Sequence, residues 1–130
     1  MQSLVLAVAI TAAGIEFRRN SNPAPMPVRI DECSATRDGS DLIYSFDLRN
    51  TAEKGVRRVD VAFVFENPGE KRRLGMQRFA IAKDMEAGQT LRYAADTEQL
   101  RRPDVSRGAR LGVCSVVGIE FADGSHLGAP

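Results

Sequence analysis

Hydrophobic and polar side chains alternate with a period of two along much of the chain. Every second position is large and apolar between residues 41 and 49, and the pattern returns between residues 58 and 66 after a turn at 50–55. Such alternation is typical of a β-strand with one buried and one solvated face. We expect these two strands to pair as an antiparallel hairpin. The side chains predicted to form the core are Phe46, Leu48, Val61, Phe63, Val113 and Val117.

The remaining β-type segments are less regular. The pattern from Leu74 to Ile81 is interrupted by polar residues, which is typical of an edge strand. The run from 109 to 122 is the longest, and its glycines Gly112 and Gly118 predict a bulge or bend that lets it contact two sheets.

One short helical turn is predicted at residues 96–102. Asp96 and Gln99 have the spacing of a capping box, and Pro103 would end the helix. About seven short strands with almost no helix predict an all-β fold. We therefore assign residues 28–130 to one antiparallel β-sandwich.

The N-terminus is apolar from Leu4 to Ala13, apart from Thr11. This length suits the core of a signal peptide and is too short to span a bilayer, so no transmembrane span is expected after cleavage. We assign residues 1–14 to a signal peptide cleaved near Ala13 or Gly14. No Lys or Arg precedes the apolar run, which leaves a misassigned start codon or an N-terminal buried strand as alternatives.

Residues 15–27 are assigned to a spacer between this segment and the domain. Prolines 23, 25 and 27 lie among small and polar residues there, a composition that favours extended chain over a hydrogen-bonded ladder.

Several short segments from Val28 to Gly124 share the pattern of one family. They are Val28, Arg29, Ile30 and Cys33; Asp47, Leu48, Arg49 and Asn50; the Gly88 turn before Leu91; and Cys114 with Phe121, Ala122, Asp123 and Gly124. This stretch resembles small exported bacterial immunoglobulin-like or fibronectin-type-III-like domains. The resemblance implies an immunoglobulin-like β-sandwich and names no activity. The chain departs from the antibody pattern because it has no tryptophan to pack on a disulfide.

The two cysteines, Cys33 and Cys114, lie in β-type sequence. In an exported chain two cysteines pair, and the bond would close a loop of about 80 residues. If the chain is cytosolic, they are two buried, inert thiols. A reactive thiol is disfavoured because neither cysteine lies in a Cys-x-x-Cys pair.

Composition and charge exclude several function classes. The 130 residues include 43% hydrophobic and 27% charged side chains, which is typical of one folded domain. The 18 basic and 17 acidic residues nearly cancel, and no aromatic residues interleave the basic clusters, so we expect no nucleic-acid partner. His126 is the only histidine, and we expect it on the surface of a C-terminal tail. We therefore expect no catalytic triad, no metal site and no cofactor.

Two basic clusters are the candidate contact residues. One surrounds the Lys71 loop and the other flanks Pro103. If the two loops converge, their guanidinium groups could bind an anionic partner; otherwise they are solvated loop charges. The candidates are Arg72, Arg73, Arg101, Arg102 and Arg107.

These features favour a non-catalytic binding module over an enzyme. The expected partner is a protein or an anionic component of the cell envelope, met in the periplasm or outside the cell. A structural or accessory envelope domain is the alternative function. The alternative location is the cytoplasm, if the N-terminal segment is not a signal.

Overall fold

The computed structural model describes residues 14–19, 26–67, 72–94 and 99–128, without the side chains of residues 67, 72 and 73. No helix occurs within these ranges. The strands are β1 (Gly14–Arg19), β2 (Val28–Asp38), β3 (Asp41–Asn50), β4 (Val56–Asn67), β5 (Arg72–Ile81), β6 (Thr90–Tyr93), β7 (Leu100–Pro103), β8 (Leu111–Phe121) and β9 (His126–Gly128).

The strands form one mixed sheet that curls on itself. Its order is β5-β4-β8-β1-β2-β3-β6, with β7 paired to β3 and β9 paired to β8. The all-β prediction is confirmed. The sheet is mixed rather than wholly antiparallel because β1 lies parallel to β8.

Strand β1 links the two halves of the sheet. Its residues 14–16 pair with β2, and its residues 16–19 pair with β8. Gly112 makes this crossing possible, because a Cβ there would lie 2.6 Å from the Phe17 ring and 2.5 Å from the Val64 carbonyl oxygen. The Phe17 ring therefore packs directly on the backbone of β8.

The structure differs from the sequence assignment at the start of the domain. Residues 15–19, assigned to the spacer, belong to β1, and Ile15 is 1% exposed. The folded domain thus includes Gly14–Arg19 as well as the residues from Val28 onward, because Ile15 and Phe17 supply an apolar face that packs on the core. The predicted signal peptide up to residue 13 and residues 20–25 of the spacer lie outside the described residues.

The predicted hairpin between β3 and β4 is wrong. β3 pairs with β2, β6 and β7, whereas β4 pairs with β5 and β8. The two strands instead face each other across the core, where the ring centroids of Tyr44 and Phe63 are 4.6 Å apart. Periodicity correctly identified the buried face of each strand but carried no information about its neighbours.

Four of the six predicted core residues are buried, namely Phe46, Leu48, Val61 and Phe63. Val113 and Val117 are only half-buried. The reason is a bulge: Asp60 pairs with Gly118, but the next residue of β4, Val61, pairs with Val116. The one extra residue in β8 shifts the alternation. The inward positions are accordingly Gly112, Cys114 and Val116 before the bulge and Ile119 and Phe121 after it.

The predicted helical turn at 96–102 is not seen. Its last residues, 100–102, belong to β7, which pairs with residues 41–44 of β3, while residues 95–98 lie outside the described part. Leu100 packs against the core, so tertiary pairing outweighs the local capping signal. The prediction of β5 as an edge is confirmed, since among the described strands β5 pairs only with β4.

Two arginines oppose each other on the solvent face of β2 and β3. Arg29 lies directly across from Arg49, and neither side chain has an ionic partner among the described residues. Like charges in this position are destabilising. We expect Arg49→Gln to raise the free energy of unfolding by about 0.2–1 kcal/mol at low salt, measured by urea titration.

High salt should remove most of that gain, because screening weakens the repulsion that the substitution relieves. Arg110→Gln is the matched control, since Arg110 is exposed and lies outside the strands. An equal gain in both variants, or a gain that persists in about 1 M salt, would show that repulsion between Arg29 and Arg49 is not the cause.

Candidate binding site

The cysteines form the predicted disulfide. Cys33 and Cys114 are bonded, with Cα atoms 6.6 Å apart and 81 residues apart in sequence. Glu32 has a φ of 56° within an irregularity of β2, which turns Cys33 towards the core. The bond joins β2 to β8, the two strands that flank β1. Both thiols are consumed in it, so a structural role accounts for the only two cysteines.

The structure separates the candidate arginines rather than gathering all of them. Arg101 donates to Asp38 at 2.7 Å and to Asp41 at 3.2 Å, so its charge is neutralised locally. Arg102 lies 5.0 Å from the centroid of the Phe79 ring. Arg107 is exposed in the loop after β7. The remaining candidates, Arg72 and Arg73, begin β5, and their side chains lie outside the described residues.

The loop after β7 is held in place by a polar cluster. Arg37 lies 3.3 Å from the Asp104 carboxylate and donates to the Ser106 hydroxyl at 2.8 Å and to the Ala109 carbonyl oxygen at 2.6 Å. Partial desolvation raises the pKa of Asp104, but hydrogen bonds from the Ser106 hydroxyl and amide, and the Arg37 charge, outweigh it and lower the pKa below 3.8.

This loop also touches the start of β5. A Cβ on Gly75 would lie 2.5 Å from the Val105 carbonyl oxygen, so only glycine permits the contact. The loop fixed by Asp104 therefore lies against β5 at Gly75. The Lys71 loop lies outside the described residues, so convergence of the two basic clusters stays a prediction.

The pKa of Asp104 gives a pH dependence. A carboxyl with a lowered pKa stabilises the folded state above its ordinary value, and this contribution is lost as the pH falls below about 3.8. Urea titrations at about pH 6 and about pH 3 should therefore show a smaller loss of stability in Asp104→Asn than in the wild type. If both proteins lose the same free energy of unfolding, the loop cluster does not titrate as the structure indicates.

The two ends of the curled sheet approach each other and leave a cleft of about 150 Å³ between β5 and the β6–β7 edge. We call it the seam cleft. Residues 79–83 line it consecutively, and the first three of them end β5. Because side chains alternate faces along a strand, three consecutive lining residues mean that the cleft borders the backbone edge of β5. The lining residues are Phe79, Ala80, Ile81, Ala82, Lys83, Tyr93, Leu100 and Arg102.

Aromatic rings and cations meet at the seam cleft. Tyr93 stacks on Phe46 with centroids 5.0 Å apart, and the Lys83 ammonium lies 5.8 Å from the Tyr93 ring. On the other side, the Arg102 guanidinium lies over Phe79. The Phe79 ring thus restricts the rotamers of the Arg102 side chain before any ligand binds. A ligand that binds the guanidinium therefore loses less conformational entropy in ordering this side chain.

Side-chain contacts between β3 and β5 hold the two ends of the curled sheet together beside the seam cleft. The hydroxyl of Tyr44 in β3 donates to Gln77 Oε1 in β5 at 2.6 Å. Burial raises the pKa of Tyr44, with a further contribution from Asp104, so the hydroxyl keeps its proton. Phe79 also packs on Tyr44, with ring centroids 4.8 Å apart. The seam cleft is therefore preformed.

Sequence reasoning selected Arg102 but missed its partners. Phe79, Lys83 and Tyr93 lie on other segments, and only the curl of the sheet brings them beside Arg102. The sequence pattern that could have indicated this site is the predicted edge strand from Leu74 to Ile81, which is followed by Lys83.

Other chemistry is sparse in the described part of the chain. Within it, no three His, Cys, Asp or Glu side chains are grouped as a metal site would require. His126 is exposed, as predicted, but it lies in β9 opposite Glu120 rather than in a tail. None of the described segments forms a helix with the length and apolar character needed to cross a membrane.

The chain matches no protein-family model, and no curated protein or solved structure is significantly similar to it. The seam cleft must therefore be interpreted from its own geometry.

Proposed function

We propose that this protein is an exported, non-catalytic binding module that holds a macromolecular partner at the seam cleft. The observation that carries the proposal is the edge of β5, unpaired among the described strands, beside a preformed aromatic cleft. Edges of this kind offer backbone donors and acceptors to another chain. The proposed fold is an immunoglobulin-like sandwich, in which the β5-β4-β8 layer packs on the β2-β3-β6 layer.

The size of the cleft supports a macromolecular partner over a small substrate. Pockets that enclose a small molecule usually have volumes of about 300–1,000 Å³. The seam cleft has about 150 Å³, enough for one or two side chains of a larger partner. Export is supported by the disulfide, because such bonds persist in oxidising compartments.

Affinity capture from an envelope extract of the producing organism tests this function. The bait is the oxidised full chain, compared with Ala82→Trp, which fills the seam cleft. The control is Ala122→Trp, at an exposed alanine in the turn after β8. We expect the wild type and the control to capture the same partner and Ala82→Trp to lose it.

Capture that is unchanged by Ala82→Trp would place the binding surface elsewhere and overturn the proposal. Failure of the wild type to capture any component would overturn it as well. A comparison of Arg102→Gln with Arg101→Gln adds a matched pair, since these neighbours lie on one strand and only Arg102 lines the cleft. We expect only Arg102→Gln to weaken capture.

A further inference from the structure

The geometry points to an extended acidic peptide segment as the partner, which adds to the end of β5 at residues 79–81 as a further strand and directs a carboxylate to Arg102. This inference rests on the proposed function of the seam cleft and specifies what the cleft recognises.

The backbone of β5 supplies the first part of the argument. Among the described residues β5 pairs on one side only, and its last three residues, 79–81, face the seam cleft edge-on. Earlier along β5, the contacts of Gly75 with the Val105 carbonyl and of Gln77 with Tyr44 lie on the side-chain face of the strand and not on its backbone edge. The part of the edge that borders the seam cleft is short, three residues of the strand, which fits a peptide segment better than a whole sheet edge of another domain.

Charge supplies the second part. The edge strands β5 and β7 contain arginines and no carboxylate side chain. A cationic edge of this kind repels a second copy of itself and attracts an acidic segment. Arg101 is neutralised by Asp38 and Asp41, which leaves Arg102 as the arginine at the cleft. The arginines of the two strands are Arg72, Arg73, Arg78, Arg101 and Arg102.

The position of Arg102 supplies the third part. Its guanidinium lies over the Phe79 ring, and its only hydrogen bond to the described residues is the one that Nη1 donates to the Arg101 carbonyl oxygen at 2.9 Å. The remaining N–H donors can bind a carboxylate, and the planar fork suits bidentate binding. Because Phe79 is also a residue of the available edge, a strand paired there passes directly beside this guanidinium. Backbone pairing thus provides affinity, and Arg102 provides selectivity for acidic side chains.

A displayed library of random peptides tests the inference without assuming a sequence. The full oxidised chain is immobilised, and Arg102→Gln is the counter-selection target. We expect the selected peptides to be enriched in Asp and Glu and to bind Arg102→Gln at least about tenfold more weakly, since a charged hydrogen bond is lost. Arg110→Gln should bind them as the wild type does.

Two further measurements separate strand addition from general charge attraction. A selected peptide is N-methylated either at its odd-numbered or at its even-numbered backbone positions. The series that methylates the N–H groups paired with β5 should lose binding, and the other series should keep it. Amide hydrogen exchange should slow within residues 79–81 when the peptide binds. Peptides without acidic enrichment, or binding that leaves these amides unprotected, would overturn the inference. If envelope capture still depends on position 82 in that case, the proposed function stands and the partner is not an acidic strand.

Discussion

Truncation of Phe63 to alanine should lower the free energy of unfolding by about 3–5 kcal/mol. Phe63 is fully buried, and its ring contacts rings from β1, β3 and β5. The alanine variant loses these contacts and leaves a cavity that neighbouring backbone cannot close, because it belongs to paired strands. The rings around Phe63, with centroid distances, are Tyr44 at 4.6 Å, Phe17 at 5.1 Å, Phe46 at 5.6 Å and Phe79 at 5.7 Å.

Arg58→Ala is the control for Phe63→Ala in urea unfolding. Arg58 lies on the solvent side of the same strand, with Asp60 at 3.5 Å and Glu120 at 3.8 Å. The Arg58 side chain is 43% exposed, whereas Asp60 and Glu120 are 14% and 19% exposed, so we expect a loss of about 1 kcal/mol, well below that of Phe63→Ala. Similar unfolding midpoints for the two variants would mean that the face assignment of β4 is wrong.

Removal of the disulfide should have an effect of comparable size. In the chain-entropy model, closing a loop of about 81 residues stabilises the folded protein by about 4–5 kcal/mol. The variant Cys33→Ala/Cys114→Ala should lose most of this stability. Because domains of this size are stabilised by only about 5–15 kcal/mol in total, we expect the variant to be partly unfolded at low denaturant concentration.

Reductant provides the matching control. The wild type should approach the double variant after reduction, whereas the double variant should not respond. Two titratable thiols in the native exported protein, or equal stability of oxidised and reduced wild type, would contradict a structural role for the bond.

Alternation along β3 and β4 was enough to predict their buried faces from the sequence. The apolar positions from Leu42 to Leu48 and from Val59 to Phe65 were assigned correctly, because neither strand carries an extra residue of its own within these spans. The disulfide was predictable for a different reason: a chain with two cysteines offers one intramolecular pairing.

The alternation of apolar and polar residues did not predict the buried face correctly where the longer strands contain an irregularity. An extra residue in β8 reverses which side chains face inward. The predicted bulge is present beside Gly118, but the valine pair at 116–117 does not indicate which of its side chains faces the core. The irregularity at Glu32 was not predicted either; the positive φ of this residue turns the Cys33 side chain towards the core. The pairing of β3 with β4 was also wrongly predicted, because an apolar face shows that a strand packs on the core but does not show which strand lies beside it in the sheet.

The candidate site was predictable only in part. Arg102 could be selected from the sequence because it lies in a basic cluster. Its separation from Arg101 could not, since it depends on β7 forming a strand rather than the predicted helical turn. Adjacent residues of a strand point to opposite faces, and here that difference assigns Arg101 to two aspartates and Arg102 to the seam cleft.

Site-specific photocrosslinking in the producing organism tests most directly whether the seam cleft contacts a partner. A photoreactive amino acid replaces Ala82 in one strain and Ala122 in another. We predict a covalent adduct of defined mass at position 82, lost when Arg102→Gln is added, and none at position 122. Adducts at 122 with none at 82, or equal adducts at both positions, would contradict binding at the seam cleft.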